Sequence, residues 1–140
     1  MKPEIGVSVC LATDAIVDLS VVEERTGLPT AFLMTAGQPR ISPSGHVWPE
    51  PAPRSLWQYR VPNRPTYDLQ GVVMEALAAL EAVGTEFLAL IDEFALDAWL
   101  SIHAHMVDET PDGTLAAEVM RRATALRLDL DLDLYVGSPE

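Results

Sequence analysis

The chain has one cysteine, one lysine and no long uninterrupted apolar run, and each shortage removes a class of protein. With Cys10 alone, neither an intramolecular disulfide nor a thiolate metal cluster can form, and a reducing cytoplasm fits this usage best. No stretch reaches the roughly 18 apolar residues that a membrane-spanning helix requires. The first apolar run is bounded by Glu4 and Asp14, too short and too acidic for a secretory core segment. Bases are scarce: nine against 21 acids give a formal charge of -12, which repels nucleic acid and anionic membranes and attracts basic partners. Catalytic signatures are missing too. Ser20, Ser42, Ser44 and Ser55 lie in no Gly-x-Ser-x-Gly elbow, and no glycine-rich phosphate loop is present.

What remains is ample for a core. A chain of 140 residues, 49% hydrophobic, matches one domain spanning residues 1–140 and buries roughly two-thirds of its unfolded surface. Residues 126–136 carry the strongest pattern. Leu126, Leu128, Leu130, Leu132 and Leu134 alternate with Arg127, Asp129, Asp131, Asp133 and Tyr135, and only a strand gathers such a row on one face. The leucine row then belongs under helices, and the acids belong near water.

The same period runs through Ile5, Val7, Val9 and Leu11, whose alternates Gly6, Ser8, Cys10 and Ala12 are small, and through residues 96–107. Helical spacing marks 69–83 behind an Asp68 cap, with Gly84 as its stop and Tyr67 placed to pack on Val72. Shorter helices are predicted from Asp18 or Ser20 to Arg25 with Gly27 as the stop, from Thr85 to about Phe94, and over 115–125 behind Thr114. Residues 31–36 are ambiguous, with a short strand as one reading. Seven of the eleven prolines fall within 39–65, which makes that stretch a long loop or edge. Inside it 55–61 reads as a strand ended by Pro62, with Trp57, Tyr59 and Val61 on one face and Leu56, Gln58 and Arg60 on the other. The order of elements predicts a two-layer α+β sandwich, a mostly antiparallel sheet with helices on one face, and a ferredoxin-like strand order is the variant considered.

The chain also resembles a bacterial family known as domain of unknown function 4279. The resemblance rests on Asp18-Leu19-Ser20, then Thr26-Gly27-Leu28-Pro29-Thr30, Ala36-Gly37, Trp57, the helix behind Asp68, Thr114-Leu115, and the closing run from Leu132 to Tyr135. It implies an α+β domain and carries over no activity, cofactor or catalytic residue.

Three groups of residues invite chemistry. His103 and His105 share a strand face about 6.6–7 Å apart, a spacing that suits zinc or iron, with Asp131 (or Asp129 or Asp133) as a third ligand and water activation as the result. The competing account is a pair of solvated imidazoles. Asp129, Asp131 and Asp133 diverge too far along a strand to share one ion, so they serve as a solvated, edge-protecting face or as a strip that docks a basic protein. Trp48, Trp57, Tyr59, Arg60 and Arg64 belong to the one region mixing aromatics with bases, either a pocket or interface or anchors for the proline-rich loop. The leading expectation is a non-enzymatic protein that docks a basic partner, as an immunity-type or antitoxin-like inhibitor does. The alternatives are a metal-dependent hydrolase built on His103, His105 and an aspartate, and a small-ligand module floored by the sheet and lidded by the proline-rich loop. No cofactor is implied.

Overall fold

A computed structural model describes residues 1–42 and 44–137. Five strands, β1 (Glu4–Thr13), β2 (Phe32–Met34), β3 (Ser55–Pro65), β4 (Asp97–Met106) and β5 (Asp129–Val136), form one sheet in the order β2-β3-β1-β4-β5. Four helices, α1 (Val21–Thr26), α2 (Leu69–Glu81), α3 (Gly84–Phe94) and α4 (Ala117–Ala125), are the others among the described residues. All strand pairs are antiparallel except β4 with β5, which α4 connects as a parallel pair. Among the described residues no helix is long and apolar enough to cross a membrane.

The layers follow from the alternation in β1. Ile5, Val7, Val9 and Leu11 are fully buried and pack with Trp57 and Val61 of β3, Leu100 and Ile102 of β4, and Val72, Val73, Leu77 and Leu80 of α2. Their cross-strand partners share this face, so the helical layer lies on it and the opposite face carries none of the four helices. The fold is therefore the expected α+β sandwich. The ferredoxin-like variant is not the strand order observed: its split βαβ unit needs a strand inserted between parallel strands, and here β4 and β5 are direct neighbours.

Several boundaries shift for identifiable reasons. Strand β3 continues past Pro62 to Pro65, because a bulge between the Val7 and Ile5 registers takes up the proline that would otherwise break the ladder. Gly84 opens α3 instead of closing α2; the chain bends at Val83 (φ -124°), and Gly84 has no left-handed backbone. Thr114 does not cap α4: the helix begins at Ala117, and the Ala116 N–H donates to Gln70 Oε1 at 2.6 Å. At α1 the Ser20 side chain makes no cap bond, and Asp18 instead accepts from the Ser20 N–H at 3.0 Å. Asp68 does cap α2, accepting from the Gly71 N–H at 2.9 Å.

The last strand begins later than its leucine pattern predicts. Leu126 and Arg127 terminate α4, where the Leu128 N–H donates to Ala123 O at 3.0 Å and the Arg127 N–H to Thr124 O at 2.9 Å, with Arg127 at φ 58°. This is a Schellman ending with arginine where glycine is usual. Leu126 and Leu128 are buried and Leu130 is half-buried, but Leu132 and Leu134 are each 54% exposed. The expectation that helices cover the whole leucine row is thus corrected: α4 stops short, and the far half of β5 runs out beyond the helical layer.

Candidate functional site

On the sheet face opposite the helices, the central strand contributes Glu4 at its start and then only the small residues Gly6, Ser8, Cys10 and Ala12, while Gln58 and Arg60 flank it on β3 and Trp99, Ser101 and His103 on β4. Small residues between longer ones make a shallow trough. At its Gly6 end it widens to about 660 Å³ between Glu4, Arg60, Asn63, His103, His105 and Tyr135. Gly6 leaves room there for the Asn63 side chain: a Cβ would stand 1.9 Å from Asn63 Oδ1 and displace that amide.

A row of polar side chains crosses the trough. Asp133 Oδ2 stands 3.7 Å from His103 Nδ1 and accepts from Ser101 Oγ at 3.2 Å. His103 Nε2 and Ser8 Oγ share a bond at 3.4 Å, and Arg60 Nε reaches the same hydroxyl at 3.5 Å. Aspartate, histidine and serine in line are the groups of a nucleophilic relay. Here Ser8 is 1% exposed beneath Arg60 and His103, and the ladder uses the backbone amides of β1 on both sides, so the hydroxyl is closed over and no β1 amide is free beside it. The row is a strap across the strands.

Cys10 lies on the same face, accepting from Gln58 Nε2 at 3.3 Å, and burial pushes its thiol up to about 11.

The register distributes the remaining singled-out residues. His103 faces Asp133, His105 faces Tyr135, and Asp131 faces Ser101. The carboxylate beside His103 is thus Asp133, and among the described residues no group of three or more histidine, cysteine or acidic side chains is arranged to hold a metal ion. Asp129 and Asp131 are exposed at the outer margin, and among the described residues neither forms an ion pair. Nearby Arg54 is committed to Asp97 at 3.1 Å and lies over the Trp99 ring at 5.7 Å.

The aromatic and basic residues of 48–64 do not converge. Trp57 is buried under the helices, donating from Nε1 to Thr30 Oγ1 at 2.8 Å, and Tyr59 packs at the core margin. Arg60 sits in the trough, Arg64 pairs with Glu75 of α2, and Trp48 is exposed beside Arg40 in the proline-rich loop. The loop residues before β3 do not line the widened Gly6 end of the trough, and Arg54 is the one that reaches Trp99 at its other end.

A second hollow was not foreseen. On the helix side of β5, Leu132 and Leu134 form an apolar groove of about 320 Å³ with Met106, Pro111, Leu115 and Leu69. The leucine alternation signalled an apolar face; that α4 is too short to cover it was not written in the period-two pattern.

An α+β sandwich with a bare polar sheet face and an acidic, half-uncovered edge strand is the class of domain that these features define. The family model described as Domain of unknown function (DUF4279) matches residues 3–137, and the chain belongs to that family. No curated protein and no solved structure matches it.

Proposed function

We propose that this domain is a non-enzymatic binding protein that docks a basic protein partner through the carboxylates at the β5 margin, the mode of an immunity-type or antitoxin-like inhibitor. The observation that carries this reading is that Asp129 and Asp131 stand exposed without ion pairs among the described residues, while the nearby arginines are engaged elsewhere: Arg54 with Asp97 and Arg127 with Asp92. A surplus of exposed, unpaired carboxylate on a chain of charge -12 raises the encounter rate with cationic partners and costs stability in the free protein.

Affinity capture from the native lysate at low salt tests this. A basic partner released by salt, and lost with Asp129→Asn/Asp131→Asn, is the expected result. Capture of no basic protein, or of one indifferent to both salt and the two substitutions, contradicts it.

A further inference from the structure

The position of β5 leaves one edge of the sheet open. β5 is the last strand of the sheet, eight residues long, with neither proline nor lysine to blunt its open side. The Gly137 N–H donates to Met106 O at 2.8 Å, and in a parallel pair every second residue bonds to a given neighbour. Asp131, Asp133 and Tyr135 therefore turn their backbone groups toward β4, while Leu130, Leu132 and Leu134 turn theirs outward. Among the described residues no backbone group meets these three outward amides and carbonyls.

We propose that the open edge of β5 accepts an extended segment of a partner as a sixth strand, and that this segment alternates apolar residues with lysine or arginine. The leucines present the outward backbone groups, which supply the ladder. On the helix side, the segment's apolar residues cover Leu132 and Leu134 and continue the groove against Met106 and Pro111. On the opposite side, its basic residues stand beside Asp129 and Asp131, whose carboxylates flank the same edge. Charge decides against a second copy as occupant. Two β5 strands paired about a two-fold axis set one aspartate row against the other, between molecules each of charge -12. The inference takes the sign of the partner's charge from the docking reading above and adds the strand geometry.

The test uses the whole chain and a capped octapeptide alternating valine with lysine. Controls are a shuffled peptide with the lysines blocked together, an alternating valine-glutamate peptide, and two N-methylated forms of the first, one methylated on every valine and one on every lysine. Affinity is read by fluorescence anisotropy and the edge by amide exchange. The alternating basic peptide should bind about tenfold or more tighter than the shuffled and acidic ones, slow exchange at Leu130, Leu132 and Leu134, and weaken with Asp129→Asn/Asp131→Asn. One N-methylated form should lose binding while the other keeps it: loss with methylated valine marks an antiparallel strand, and loss with methylated lysine marks a parallel one. If shuffled and alternating basic peptides bind alike, with salt sensitivity and no protection of the leucine amides, strand addition is overturned while charge-led docking stands. If no basic peptide binds, or if the free protein self-associates with protection of those same amides, the proposed occupant is wrong.

Discussion

At the residue scale, single polar side chains hold the layers in place, and their importance is invisible in composition. Ser55 is fully buried; its Oγ donates to Ala15 O at 2.8 Å and accepts from the Val17 and Ala36 N–H groups at 3.2 and 3.1 Å. It thus joins the segments after β1 and β2. Ser55→Ala strands those groups together, and a loss of about 2–3 kcal/mol is expected from urea unfolding. Nothing local in the sequence marks Ser55 for this role, because its partners lie 19, 38 and 40 residues away. Cys10 gives a second test. A thiol raised from 9.0 to about 11 by burial holds only roughly a hundredth of the ordinary thiolate near pH 8. Alkylation of the folded protein there should be at least that much slower than in urea, and equal rates would contradict the burial. Since the folded state holds this proton more tightly, the thiol's contribution to stability is intact below pH 9.0 and declines as pH rises toward 11.

At the element scale, periodicity revealed the existence of nearly every strand and helix, and the C-terminal ends of α1, α3 and α4 fall within a residue of where the sequence puts them. Gly27, at φ 76° after α1, carries the usual stop signal. After α3 and α4 the chain turns on left-handed residues other than glycine, Ala95 at φ 51° and Arg127 at φ 58°, so Leu96 and residues 126–128, which continue the period-two pattern, belong to the turns, and β4 and β5 begin later than that pattern predicts. Ala95→Gly is expected to stabilise the protein by about 1 kcal/mol in thermal or urea unfolding, because it relieves the Cβ–carbonyl crowding of the left-handed conformation. No change, or a loss, would mean that the turn is not strained. Ion pairs between elements add small increments: Arg122 grips Glu81 of α2 with two bonds, which holds that carboxyl below its usual range, and Arg25 of α1 pairs with Glu86 and Glu93 of α3.

At the scale of the whole molecule, the sandwich and the polarity of its two faces were legible in alternation alone. The coverage of those faces was not, because it depends on how far each helix reaches across the sheet. The His103–Asp133 neighbourhood likewise depended on the parallel register of β4 and β5, which a period of two cannot specify. What emerges is a domain whose helices leave the far half of its last strand uncovered, and that strand keeps a backbone edge, an apolar flank and an acidic flank all accessible. The proposed partner chemistry rests on those three properties together, more than on net charge. The most direct test is residue-resolved amide exchange on the free protein. Slow exchange at Asp131, Asp133 and Tyr135 alternating with fast exchange at Leu130, Leu132 and Leu134 is the predicted result, and uniform protection, or uniform fast exchange, along these six residues would contradict it.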